Sequence, residues 1–201
     1  MTKKKKIIII SFLALCVFVL LSLLFPLLEA GHKADSKETQ PAYTFCEADY
    51  DADIFENEEY LELARELSYT DGALTVTYKL TDDLSNVDAA LEFFASYFQT
   101  IINGDYEHYP SFFSSKYTGD IPEKFTMQML YNISLEKLPY LTEGGSTVYR
   151  VDYMIYRNNG TFRPEIGSDG CIPQYFIIEK SENSYLITHI YTLKQDTEVV
   201  S

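Results

Sequence analysis

The sequence predicts an α+β fold in which helices pack on one face of an antiparallel sheet, behind a single transmembrane helix. Residues 7–28 contain no charged side chain, which is typical of a membrane-spanning segment. Residues 85–103 repeat apolar side chains at intervals of three and four, whereas apolar residues alternate with polar ones after Met127. Helices followed by a run of strands are the arrangement of an α+β domain.

Composition excludes several classes of protein. The chain has 201 residues, of which 46% are hydrophobic, so it is not disordered throughout. It carries 30 acidic and 16 basic residues, with a net charge of −14, which argues against a protein that coats nucleic acid. Its 3 cysteines are too few for a disulfide scaffold.

Residues 7–28 are long enough to span a bilayer, because 22 helical residues extend about 33 Å and the hydrocarbon core is about 30 Å thick. The basic stub of residues 1–6 contains four consecutive lysines, which predicts a cytoplasmic N-terminus. We therefore expect an uncleaved signal anchor with the C-terminal domain outside the cell.

Two other interpretations of this segment remain open. A signal peptide could be cleaved after Ala30, although its apolar run is long and Leu28 stands where a small residue is preferred. A lipid could be attached at Cys16, although Leu15 precedes it where a lipoprotein has a small residue.

The exported part begins with a predicted flexible tether, residues 29–50, whose composition is too polar to fold alone. Residues 51–83 are predicted to form an acidic helix, capped by Asn57, and a hairpin over 67–80 that turns at Asp71 and Gly72. Residues 194–201 are assigned as a tail.

Residues 84–193 are predicted to form the main domain. Its long helix begins near Ser85 and ends at Asn103 and Gly104. Shorter helices are expected after Asp105 and at Pro122. Four strands follow, the first of which contains the alternating residues Met129, Tyr131, Ile133 and Leu135, and the others cover 148–157, 172–179 and 185–193.

Two stretches of this domain resemble the NTF2-like (cystatin-like) superfamily: AALEFFASYFQTIINGDYEHYPSFFSSKY, and STVYRVDYMIYRNNGTFRP with QYFIIEKSENSYLITHIYT after it. The resemblance covers about residues 84–193. It implies a cone in which N-terminal helices pack on a curved antiparallel sheet. Members include small-molecule isomerases and dehydratases, transport adaptors and binding modules, so the resemblance does not define a function.

A cone implies a pocket, and five residues are candidates to line it. His189 alternates with Ile187 and Tyr191, so it would face the pocket if that sheet face is concave. Proton transfer would need a second group, and Asp152 on a neighbouring strand is the candidate. The alternative is that His189 is a surface or structural histidine without a catalytic role. The pocket candidates are Tyr131, Asp152, Tyr153, His189 and Tyr191.

Cys46 and Cys171 both lie beyond the membrane segment, where a disulfide could persist, and whether they pair stays open. Asp49, Asp51 and Asp53 alternate as in calcium loops, but Ile54 and Tyr60 replace the Gly and Glu of an EF-hand. The chain has no phosphate-binding loop, dinucleotide fingerprint or Cys/His metal spacing. No cofactor and no metal are predicted.

These observations predict a membrane-anchored, extracytoplasmic binding or interaction module without catalytic activity. The alternative is an isomerase, dehydratase or hydrolase that uses the cone pocket, and a third hypothesis is a structural subunit of an envelope assembly. The expected partners are the membrane, through residues 7–28, and an unknown protein or small-molecule ligand, but not nucleic acid.

Overall fold

The computed structural model describes residues 43–141, 145–182 and 184–192, which contain two α-helices and six β-strands. The helices are α1 (Glu58–Leu61) and α2 (Ala89–Ile102). The strands are β1 (Leu67–Asp71), β2 (Leu74–Tyr78), β3 (Leu130–Lys137), β4 (Ser146–Ile155), β5 (Gln174–Lys180) and β6 (Tyr185–Thr192). Three short 3-10 helices accompany them, at Ile54–Glu56, Tyr109–Phe112 and Pro139–Leu141.

The six strands form one mixed sheet in the order β2-β1-β3-β4-β5-β6. The predicted hairpin is present as β1 and β2, but β1 also pairs with β3 in parallel. The predicted antiparallel sheet of about four strands is therefore wrong. The parallel pairing aligns Leu67 with Ile133 and Tyr69 with Leu135, so buried side chains of both strands share one sheet face.

The predicted group of N-terminal helices packed on the sheet is also wrong. Among the described residues, α2 is the only helix longer than four residues. Its cap is Asp88 rather than Ser85, and it ends at Asn103 as expected. The segment after Asp105 forms only the 3-10 turn at Tyr109–Phe112, and no helix begins at Pro122.

Burial of Phe125 explains the missing helix at Pro122. Its side chain is fully buried, with ring centroids 5.3 Å from Tyr109 and 5.1 Å from Phe162. Short helices are marginal because nucleation is unfavourable. Aromatic packing therefore determines the backbone of this segment more strongly than the local helix signal does.

Helix α2 packs on one face of the sheet, which we call the inner face. Phe94 lies 5.0 Å from Tyr149 and 5.7 Å from Phe176 between ring centroids, and Phe98 lies 6.0 Å from Tyr153. All five of these side chains are buried. The apolar repeat of α2 therefore forms the centre of the core, as the spacing predicts.

Two β-bulges change which side chains reach the inner face. In β3 the register shifts between Tyr131 and Ser134, and Asn132 has φ 50°. In β6, Ile177 pairs with His189 but Ile178 pairs with Ile187, which leaves Thr188 as an extra residue. A bulge places two residues opposite one, so the alternation of faces is interrupted there.

Residues 43–46, at the end of the predicted tether, contact the loop over 157–170. The Cys46 amide donates to the Asn158 carbonyl at 3.3 Å. The rings of Tyr43 and Phe45 lie over Gly167 and Gly160. This part of the tether therefore packs against the domain.

Within the described ranges, no helix is both long and apolar enough to cross a membrane. The predicted transmembrane helix of residues 7–28 lies outside these ranges, as do the basic stub, the tether up to residue 42 and the tail.

We predict that Gly104→Ala destabilises the fold more than Gly72→Ala. Both glycines have positive φ, 65° and 61°, so an added Cβ costs about 1–2 kcal/mol at either site. Only at Gly104 would the Cβ also meet backbone, 2.7 Å from the Met127 nitrogen. Urea unfolding should show an extra loss of about 1–3 kcal/mol at Gly104. Equal losses for the two variants would contradict this packing.

Candidate functional site

His189 lies on the outer face of the sheet, opposite α2, and not in a pocket. The bulge at Thr188 places Ile187 in the core and turns His189 outward, where it is exposed. Its ring stacks on Tyr191 at 5.8 Å between centroids, with an interplanar angle of 5°. The alternation that placed Ile187, His189 and Tyr191 on one face is therefore wrong at Ile187.

The predicted pair of His189 and Asp152 is not assembled. Asp152 lies on β4 and His189 on β6, and β5 runs between these strands. Asp152 instead forms an ion pair with Arg150, whose Nε lies 3.0 Å from Oδ2. The structure thus offers no hydrogen bond between the two groups.

Tyr131 also leaves the inner face, because of the bulge at Asn132. Its hydroxyl donates to Asp169 Oδ1 at 2.7 Å. Burial, together with the Asp169 carboxylate, raises the pKa of Tyr131 to about 12. This side chain attaches the loop before β5 to β3 and has a structural role.

Of the five predicted pocket residues, only Tyr153 lines a cavity beside α2, which we call the tyrosine cleft. The cleft has a volume of about 540 Å³, within the range typical of small-molecule sites. Aromatic side chains form its base, and polar groups of the loop over 160–165 form one wall. Its lining comprises Tyr97, Tyr109, Tyr117, Asp120, Ile121, Pro122, Tyr153, residues 160–165, Gln174, Ile190 and Thr192.

Buried phenol groups form the base of the tyrosine cleft. The hydroxyls of Tyr97 and Tyr109 lie 2.9 Å apart and share a hydrogen bond. The Tyr153 hydroxyl donates to Gln174 Oε1 at 3.3 Å. Burial raises the pKa of Tyr97, Tyr109 and Tyr153 above the ordinary value of 10.0. These phenols are therefore uncharged at neutral pH and can both donate and accept hydrogen bonds.

Arg163 is the one buried cation in the lining of the cleft, and its charge is neutralised locally. Only 4% of its surface is exposed. Its Nε lies 2.5 Å from Glu165 Oε1, and its Nη1 donates to the Ile172 carbonyl at 3.3 Å. Its guanidinium also lies 5.4 Å from the Tyr153 ring centroid. The guanidinium is thus held by the protein and not directed at a charged ligand.

Asn158 holds the wall of the cleft in place. It is fully buried, and its Nδ2 donates to the carbonyls of Arg163 at 3.1 Å and Ile166 at 3.0 Å. Its Oδ1 accepts from the Gly160 amide at 2.8 Å. Because these bonds close the loop on itself, they position Arg163 and its neighbours beside the phenols.

Both described cysteines are free and exposed, so the disulfide considered from the sequence is not formed in this structure. The Cys46 thiol donates to the Arg157 carbonyl at 2.9 Å, whereas the Cys171 sulfur lies 3.9 Å from Asp152 Oδ1. In residues 43–141, 145–182 and 184–192, no group of three or more acidic, His or Cys side chains could hold a metal. Asp53 instead caps a 3-10 helix.

Comparison with protein-family models, curated proteins and solved structures finds no match for this chain. The resemblance to the NTF2-like superfamily therefore stays a prediction.

Sequence reasoning missed most residues of the tyrosine cleft. Tyr97 belongs to the apolar helix α2, where the sequence pattern predicts that an aromatic side chain packs in the core. Tyr109, Asn158 and Arg163 lie in turns and loops, for which the pattern predicts no partner. The only available signal was the clustering of Asn158, Asn159 and Gly160, which predicts a turn.

We predict that Asn158→Ala lowers the free energy of unfolding by about 2–4 kcal/mol, because it leaves buried carbonyl and amide groups without partners. Asn158→Asp should cost at least as much, since it keeps the acceptor but loses both donors and buries a charge. Chemical unfolding measures both. The control is Asn86→Ala, an exposed position, which should change stability by less than about 0.5 kcal/mol. Similar stability for all three variants would show that Asn158 does not hold the loop.

Proposed function

We propose that the chain is a membrane-anchored, extracytoplasmic binding module that holds a small, uncharged, polyhydroxylated ligand in the tyrosine cleft without transforming it. The proposed membrane attachment rests on the uncharged segment 7–28, and the proposed orientation rests on the preceding Lys3, Lys4, Lys5 and Lys6. The binding role rests on the tyrosine cleft.

The location can be tested by protease treatment of intact cells that express the full chain with a C-terminal epitope tag. We expect the tag signal to disappear from intact cells, because the domain lies outside. Lysed cells provide the control that the domain can be cleaved. A tag that survives on intact cells and is lost after lysis would refute the orientation, and a tagged domain released into the medium would refute the anchor.

The chemistry of the tyrosine cleft supports an uncharged ligand. The phenols of Tyr97, Tyr109 and Tyr153 are neutral, and Glu165 neutralises Arg163, so the one remaining charge in the lining is the exposed carboxylate of Asp120. Aromatic rings provide apolar contact area, while hydroxyl and amide groups at their edges accept and donate hydrogen bonds. This combination suits a sugar or polyol, which has an apolar face and many hydroxyls.

The positions of the acid–base candidates favour binding over catalysis. The enzyme hypothesis relied on His189 with a neighbouring carboxylate in one pocket. His189 is exposed on the outer face and Asp152 is paired with Arg150. A proton transfer between groups requires hydrogen-bond reach, which this pair lacks.

The ligand class can be tested by thermal unfolding of the full chain in detergent with a panel of sugars and polyols. Each is matched by anionic analogues, such as gluconate and glucuronate for glucose. We expect a neutral member to raise the unfolding temperature and its charged analogues to do so less. The gain in the free energy of unfolding depends on the ratio of ligand concentration to Kd. It is about 2.7 kcal/mol when the ligand concentration is a hundred times Kd.

A matched pair of variants locates the binding. Asp120 lines the tyrosine cleft and is exposed, so Asp120→Asn should weaken the shift without unfolding the protein. Glu92→Gln changes an exposed carboxylate that does not line the cleft and should leave the shift unchanged. The proposal fails if no neutral ligand stabilises the chain, or if both variants respond equally.

A further inference from the structure

A second cavity, of about 510 Å³, lies between α1, the end of β2 and the C-terminal part of α2. We call it the Arg65 cavity. It shares no lining residue with the tyrosine cleft. The chemistry of its lining differs from that of the tyrosine cleft, because apolar side chains lie beside the cations Arg65 and Lys79.

The base of the Arg65 cavity is apolar. Tyr60, Leu80 and Ile102 line it, and each is at most 9% exposed. The Tyr60 hydroxyl donates to the Leu130 carbonyl at 3.0 Å. This bond satisfies the one polar atom of the side chain.

Two large apolar side chains at the rim remain exposed. Phe55 and Leu61 both line the cavity and are each 41% exposed. Exposed apolar groups beside an apolar cavity extend the surface that could cover a bound hydrocarbon.

The cavity also carries two cations that have no carboxylate partner among the described residues. Arg65 and Lys79 line it, and neither forms an ion pair within the described ranges. The Lys and Arg side chains that do form ion pairs in the described ranges are Lys116, Lys137, Arg150, Arg157 and Arg163.

Four of the nine Lys and Arg side chains in the described ranges form no ion pair, and two of the four, Arg65 and Lys79, line this one cavity. The Arg65 guanidinium lies 5.4 Å from the centroid of the Tyr60 ring, a cation–π contact that places it beside the base of the cavity. Glu66 is the only acidic residue in the lining, so the cavity has a positive balance.

We propose that the Arg65 cavity binds an amphipathic organic anion, with its carboxylate or phosphate between Arg65 and Lys79 and its hydrocarbon part on Tyr60, Leu80 and Ile102. Arg65 can donate two parallel hydrogen bonds to such a group, and Lys79 adds a point charge. The apolar base and rim bury the hydrocarbon part. This proposal is independent of the tyrosine cleft, since no residue is common to the two.

The probe is phenylbutanoate, compared with phenylbutanol and phenylbutylamine, which keep the same hydrocarbon part but are neutral or cationic. Binding is measured by calorimetry on the full chain in nanodiscs of zwitterionic lipid. We expect phenylbutanoate to bind most tightly, phenylbutanol more weakly and phenylbutylamine least. Added salt should weaken the binding of phenylbutanoate and leave the binding of phenylbutanol unchanged.

Charge-removing variants test the assignment of the two cations. Arg65→Gln and Lys79→Gln should each weaken phenylbutanoate binding by about threefold, and the double variant by about tenfold. Phenylbutanol binding should not change. Lys180→Gln is the matched control, because Lys180 is exposed, has no ion pair among the described residues and does not line the cavity.

The same measurement separates a soluble anion from a membrane lipid. If the natural anion is a lipid headgroup, nanodiscs that contain phosphatidylglycerol should compete with phenylbutanoate; if it is a soluble anion, they should not. The proposal is overturned if phenylbutanoate binds no tighter than phenylbutanol. It is equally overturned if the variants at Arg65 and Lys79 bind phenylbutanoate as the control does.

Discussion

The aromatic face of α2 packs on the inner face of the sheet, and the rest of the described fold depends on this contact. Phe94 and Phe98 insert between Tyr149, Tyr153 and Phe176, and burial of each such ring contributes about 1.5–3 kcal/mol. The same packing positions both cavities. Tyr97 projects from α2 into the tyrosine cleft, and Ile102, at its C-terminal end, lines the Arg65 cavity.

Charge is distributed differently in the two cavities, and this difference determines what each can bind. In the tyrosine cleft the buried guanidinium of Arg163 is neutralised by Glu165, as a buried charge requires. In the Arg65 cavity two cations have no such partner among the described residues. An acidic protein therefore has one cleft whose buried cation is neutralised and one cavity with a positive balance, and the net charge of the chain predicts neither.

The two β-bulges explain why two of the predicted pocket residues, Tyr131 and His189, lie away from the tyrosine cleft. Alternation assigns side chains to faces correctly only while each residue opposes one partner. Asn132 interrupts it in β3 and Thr188 in β6, so Tyr131 and His189 lie on faces that the sequence pattern does not indicate. The extra residue of the bulge at Asn132 belongs to β3, so β4 keeps its own alternation: Val151, Tyr153 and Ile155 are all buried, and Tyr153 lines the tyrosine cleft.

By itself, the sequence determined the features that depend on neighbours along the chain. The helix end at Asn103 and Gly104, the cap at Asn57 and the turn at Gly72 follow from local backbone preferences, and all three are present. The tertiary structure decided the parallel pairing of β1 with β3, the extended path around Phe125 and the convergence of Tyr97, Tyr109 and Arg163. Those features depend on contacts between residues far apart in the chain, and the free energy of such contacts is not encoded in any local pattern.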